Sequence, residues 1–242
     1  MNPAIARYRE EEPLKVLHII ATPRNDRSNT LQVTEQFLAD VGRRRPGLDI
    51  EVVDLFNEDL PALAGDNIET KYTLSHGQPI DRTHVESWRQ IENLIARFLA
   101  ADAYVISTPM WNLSIPYALK YYIDCIVQPG YLFRYNEQGF PVPLVHGKKM
   151  VCVSARGSDY SISGPIHALD FQEPYLRTIF GFVGITDIEF IRLQPTDIPG
   201  RGEAALAAAL SQAHTVAETF AGAGIPFPVP ALAPEAPTAP VG

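Results

Sequence analysis

Apolar positions along the chain fall into two alternating patterns. Short runs rich in β-branched residues recur at Leu14–Ala21 (LKVLHIIA), Leu48–Leu55 (LDIEVVDL), Ala103–Thr108 (AYVIST), Lys149–Ser154 (KMVCVS) and Thr186–Leu193. Runs of that length and composition predict strands buried in a parallel sheet. Between them, apolar residues return every three to four positions, which predicts amphipathic helices. The first helix begins near Ser28, turns Val33, Phe37 and Val41 inward, and stops at Pro46-Gly47. A second turns Trp88, Ile91, Ile95 and Phe98 inward, with Thr83-x-x-Glu86 shaped as its capping box. Others cover Ile115–Val127, opening near Pro116 where proline is tolerated, then Leu169–Phe180, then Glu203–Phe220 with Leu206 and Leu210 inward. The polar stretch 56–82 is long for a compact connection and predicts a functional loop or insertion. Tyr131–Pro143 is aromatic and turn-rich, as a small hairpin around Gly139 would be.

Five strands alternating with helices predict an α/β fold: a doubly wound, five-stranded parallel sheet with helices on both faces. The domain plan is an N-terminal extension (1–13), one α/β domain (14–222) and a Pro/Ala-rich tail (223–242). The tail holds six prolines after Ile225, cannot continue a helix, and is expected to be disordered. A length of 242 residues suits one such domain. The net charge of −8 argues against a nucleic-acid partner, because neutralising phosphates needs a basic face. The run Arg43-Arg44-Arg45 lies where a helix should end and complements its dipole. No apolar run approaches the roughly 18 residues of a membrane span, and Met1–Pro13 has no apolar signal core. Cys125 and Cys152, far apart, read as buried thiols of a reducing cytoplasm. The histidines form no metal-ligand cluster, so no metal is expected.

In doubly wound sheets ligands bind beyond the carboxyl ends of the strands, which singles out three loops. The first (22–30) has no glycine pattern for a dinucleotide turn or a P-loop. It carries Thr22, Ser28, Asn29 and Thr30 at a helix N-terminus, where free N–H groups suit a phosphate. Ordinary capping by Ser28 or Asn29 explains the same residues. The second loop sets Met110, Trp111, Asn112 and Leu113 together, apolar surface and amides that suit a planar ring. A well-packed strand-to-helix turn would read the same way. The third offers Ala155, Arg156, Gly157 and Ser158; Gly157 permits close backbone approach, and Arg156 or loop N–H groups could meet an electron-rich carbonyl edge.

Taken together these loops resemble those of the FMN-dependent NADH-azoreductases and NAD(P)H quinone reductases, which have a flavodoxin-like fold. The resemblance spans Val16 to Leu193. The family's serine and S-x-S motif stand here as Thr22 and Ser28-Asn29-Thr30, its M-Y-N-F as Met110–Leu113, and its S-R-G-G as Ala155–Ser158. The stretches IPYALKYYIDCI, FRYNEQG, HGKK and PYLRTIFGFVGITDIEF are also similar. The resemblance implies an FMN-binding oxidoreductase that passes hydride from NADH or NADPH to a quinone, azo or nitroaromatic acceptor in ping-pong fashion. It implies a homodimer, and no catalytic side chain, because side chains cannot accept hydride. Tyr131 and Phe133 are candidates to roof the acceptor site, or else to plug the core or a dimer contact. Trp111, Leu113 and Ala155 replace the family's tyrosine, phenylalanine and serine, which bears on acceptor choice more than on cofactor choice. The rival readings are a flavodoxin-type electron carrier, which the acidic charge would suit, and a non-enzymatic flavin redox sensor.

Overall fold

The computed structural model describes residues 13–222, so the expected tail and all of the N-terminal extension but Pro13 lie outside the described residues. Strands β1 (Lys15–Ile20), β2 (Asp49–Asp54), β3 (Ala103–Pro109), β6 (Lys149–Ala155) and β7 (Asp187–Leu193) form one sheet in the order β2-β1-β3-β6-β7. Every neighbouring pair is parallel, which is the doubly wound arrangement the strand runs predict. The remaining strands, β4 (Phe133–Tyr135) and β5 (Pro141–Pro143), make the short antiparallel hairpin expected around Gly139.

Alternation along the strands sends successive side chains to opposite faces, and each face finds its own helices. Leu17, Ile19, Tyr104 and Ile106 pack against α3 (Val85–Ala100), α4 (Tyr117–Ile126) and α5 (Glu173–Val183). Val16, Val105, Val151, Val153 and Ile191 pack against α1 (Asn29–Arg44) and α6 (Gly202–Gly222). Arg43 pairs with Asp40 and Arg44 with Glu218, so these two arginines serve the end of α1.

Three expectations need correction. The stretch 56–82 contains a helix, α2 (Asp66–Ser75), which buries the polar residues Asn67 and Thr70 and so shows no apolar periodicity. The capping box at Thr83 does not form: Thr83 bonds to Asp81 Oδ1 through both N–H and hydroxyl, and α3 starts after His84 without a side-chain cap. In α6 the inward line is Ala205, Ala209, Ala213 and Ala217, while Leu206 and Leu210 flank it, half-buried. Small residues four apart let the α1 and α6 backbones approach closely, and Phe37 meets Phe220 edge-on at 5.3 Å.

Candidate functional site

Hydrogen bonds at the carboxyl edge of the sheet hold the three loops side by side. Ala21 N–H donates to Ser107 O at 2.8 Å, tying the first loop to the end of β3. Met110 N–H donates to Ala155 O at 2.8 Å, tying the second loop to the third.

In the first loop the Ser28 hydroxyl donates to Thr22 Oγ1 (3.3 Å) and accepts from Leu31 N–H (3.4 Å), capping α1. The capping reading of Ser28 is therefore correct, but it engages only one first-turn donor. The N–H groups of Asn29 and Thr30 lack an intrahelical acceptor, as the geometry of any first turn requires. No acidic residue lies in that turn, so the positive end of the helix dipole is not offset there. Thr22, Ser28 and the side chain of Thr30 are buried, whereas Asn29, Arg24 and Arg27 are exposed.

The second loop is a reciprocal turn. Trp111 N–H bonds Ser114 O (2.9 Å) and Ser114 N–H bonds Trp111 O (3.0 Å). The central residues Asn112 (φ 47) and Leu113 (φ 71) are both left-handed, the signature of a type I′ turn. Such a conformation costs a bulky residue about 1–3 kcal/mol and marks a site where the surroundings dictate the backbone. Among the described residues the N–H groups of Asn112 and Leu113 have no acceptor, nor does the Asn112 side-chain amide have a partner. Trp111 lies in a ring cluster with Phe56 (5.9 Å) and Tyr117 (6.3 Å).

In the third loop the carbonyls of Arg156 and Gly157 accept from Thr196 N–H (2.9 Å) and Asp197 N–H (3.0 Å). The N–H groups of Gly157 and Ser158 and the Ser158 hydroxyl have no partner among the described residues. One expectation changes here. The guanidinium of Arg156 turns into the protein, with Nη1 at 2.8 Å from Asp170 Oδ2 and Nε donating to Gln172 Oε1, so it does not reach toward a ligand. A Cβ at Gly157 would come within 2.5 Å of Asp197 Oδ2, the end of an exposed side chain that can turn aside.

Tyr131 and Phe133 are not brought to these loops within one chain. The Tyr131 hydroxyl donates to Glu92 and accepts from Trp88 Nε1, both on α3. Phe133 is buried 4.8 Å from Phe182, in the last turn of α5, at the amino edge of the sheet. Local sequence also concealed Gln172, which is fully buried. Its Nε2 donates to Pro109 O (2.8 Å) while its Oε1 accepts from Arg156, so it ties the second loop to the third. Its partners lie 63 and 16 residues away, and no local pattern marks it.

Residues 14–217 match the family model described as flavodoxin-like fold. An FMN-dependent NADH:quinone oxidoreductase of Nitratidesulfovibrio vulgaris (strain Hildenborough) is 38% identical over 207 residues, 85% of this chain and 99% of that protein. The chain belongs to the flavodoxin-like family of FMN-dependent NADH:quinone oxidoreductases and azoreductases. A member from Nostoc punctiforme is 40% identical over 182 residues, 74% of this chain and 85% of its own length. The crystal structure of an azoreductase from Bacillus anthracis superposes with a TM-score of 0.77 at 30% identity, covering 86% of this chain and 100% of that one. An FMN-dependent NADH-azoreductase from the same species, solved in complex with FMN, gives 0.76 at 27% identity, covering 86% and 99%.

Proposed function

We propose that this protein is an FMN-dependent oxidoreductase that takes hydride from NADH and delivers it to a quinone or a comparable flat aromatic acceptor. The observation that carries the reading is the set of donors without partners on one sheet edge: the N–H groups of Asn29 and Thr30, of Asn112 and Leu113, and of Gly157 and Ser158. A phosphate suits the first pair, at a helix N-terminus that carries no carboxylate. The other two pairs, with the Asn112 amide and the Ser158 hydroxyl, suit the polar edge of an isoalloxazine ring. Met110 and Trp111 add apolar surface for its face. Of the candidate residues, Thr22 acts through Ser28, and Ala155 and Arg156 act by holding the loop.

Bound FMN would supply the hydride chemistry, accepting two electrons and passing them on. The chain's residues bind, orient and exclude water. The type I′ turn and the Gln172 bridge fix the second and third loops before any ligand arrives, which lowers the ordering cost of binding. No acidic or basic side chain is assigned to proton transfer; the proton for a reduced quinone comes from water. Donor and acceptor occupy one face in turn, which gives ping-pong kinetics. A homodimer belongs to the proposal, supported by the exposure of Tyr117 (72%) and Phe171 (56%) beside the second loop. No helix among the described residues is long and apolar enough to cross a membrane, and a cytoplasmic location is proposed.

The test is identification of the flavin by mass spectrometry after purification of the full chain, with titration of the stripped protein by FMN and FAD. FMN bound in preference to FAD supports the reading; FAD at full occupancy, or no flavin affinity, contradicts it.

A further inference from the structure

Beneath the first loop lies a line of buried polar side chains that the flavin contacts do not account for. His18 on β1, Ser107 on β3 and Thr34 on α1 are all nearly inaccessible to solvent. His18 Nε2 is 2.8 Å from Ser107 Oγ, Ser107 Oγ is 2.7 Å from Thr34 Oγ1, and Thr34 Oγ1 donates to Thr30 O at 2.9 Å. The direction of every proton follows from the last contact. A carbonyl only accepts, so Thr34 spends its one proton on Thr30. Ser107 must then donate to Thr34, and His18 must donate to Ser107 from Nε2. Burial pulls the His18 pKa down to about 4, partly offset by Asp54, so the ring is neutral and Nδ1 carries no proton.

Apolar side chains would fill the same space at lower cost, since each buried polar group needs a partner. What the polar line adds is a grip on both ends of the first loop. The backbone carbonyl of Ser107 accepts from Ala21 N–H, where the chain leaves β1. Its hydroxyl, through Thr34, holds the carbonyl of Thr30, where the chain enters α1. One residue of β3 thus fixes the entry and exit of the segment that presents the Asn29 and Thr30 donors.

We propose that His18, Ser107 and Thr34 are positioning residues for the FMN phosphate, setting the first turn of α1 in register with the sheet without touching the ligand. The inference rests on the flavin-site reading above. Its test compares FMN with riboflavin, which carries the same ring without the phosphate, by fluorescence titration of the stripped full-length protein. Thr34→Val keeps the shape and removes the hydroxyl; Thr34→Ser restores it. Thr34→Val is expected to weaken FMN binding roughly tenfold, the scale of one lost hydrogen bond, and to leave riboflavin within about twofold. Thr34→Ser should bind FMN within about twofold of the wild type, and Ser107→Ala should behave as Thr34→Val does. Equal losses for both flavins would show a merely structural role and overturn the proposal, as would unchanged FMN affinity in Thr34→Val. A wild-type protein that binds riboflavin as tightly as FMN would overturn the inference while leaving a flavin site in place. One that binds neither would overturn both readings.

Discussion

Removing the carboxylate of Asp170 should unfold the region that supports the third loop more readily than any surface change. Asp170 and Arg156 are buried, with side chains 5% and 1% exposed, and their charged atoms lie 2.8 Å apart. Breaking such a pair from one side costs about 3–5 kcal/mol, because a desolvated charge is left behind. Asp170 also accepts from the N–H groups of Gln172 and Glu173 through Oδ1, which caps α5 and is worth about 1 kcal/mol more. Glu173 moderates the loss. It lies 3.6 Å from Arg156 Nη2, but it already holds Arg177 and Arg192 at 2.8 and 2.6 Å. A net loss of about 3–4 kcal/mol is therefore expected for Asp170→Ala. Asp170→Asn, which keeps a capping oxygen, should recover about 1 kcal/mol of it. The double variant Arg156→Met, Asp170→Asn removes the stranded charge and should be more stable than Asp170→Ala alone. The assay is urea denaturation at fixed m-value, with flavin content measured on the same samples, since the third loop should loosen with its support. A loss below about 1 kcal/mol for Asp170→Ala would refute the reasoning and show that water or Glu173 suffices for Arg156.

Other expectations follow from the same geometry. Thr30→Glu places a carboxylate at the first turn of α1 and should abolish measurable FMN binding, while Asn29→Ala, which keeps the backbone N–H and removes only the exposed side-chain amide, should cost at most about 1 kcal/mol; flavin titration checks both. Burial pushes the Cys125 thiol up to about 11 and that of Cys152 further, so neither is a thiolate at neutral pH. The double variant Cys125→Ser, Cys152→Ser should keep its turnover per bound flavin, as a quinone assay normalised to flavin absorbance would show. His18 lies below its unfolded value of 6.5, at about 4 when folded, so the unfolded chain binds its proton first. Stability should fall as the pH drops from about 6.5 toward 4, by up to about 3 kcal/mol. His18→Gln should flatten that decline between pH 6.5 and 4.5, and an undiminished slope in pH-resolved urea melts would contradict a buried neutral histidine. Trp111→Tyr should change the ranking of kcat/KM among bulky quinones by about 1–3 kcal/mol, and an unchanged ranking would place the acceptor elsewhere.

The sheet was legible because buried parallel strands are apolar on both faces, and the five runs stand out against polar surroundings. The parallel, doubly wound arrangement and the three loops followed from that alternation, whereas the strand order β2-β1-β3-β6-β7 did not. The helix α2 was not legible, because it buries Asn67 and Thr70 and has no apolar stripe to betray it. The inward face of α6 was misread because close helix packing selected alanine over leucine there. At the site, side-chain types were visible while directions were not. Arg156 resembled a ligand-facing cation until Asp170, 14 residues on, was found to hold it. The nearness of Asp197 to Gly157, 40 positions further along the chain, was equally invisible in the local sequence. Tyr131 and Phe133 drew attention as aromatics, but contacts with α3 and α5 decide where they lie.

The central claim is hydride transfer from NADH through flavin to a soluble acceptor. The direct measurement is steady-state oxidation of NADH, with NADPH in parallel, against a panel of benzoquinones and naphthoquinones by the FMN-loaded full-length protein. The expected result is one quinone reduced per NADH consumed, parallel double-reciprocal lines, and no turnover in the Thr30→Glu variant. NADH oxidation no faster than free FMN supports, with the flavin fully bound, would contradict it and favour an electron carrier or a flavin sensor.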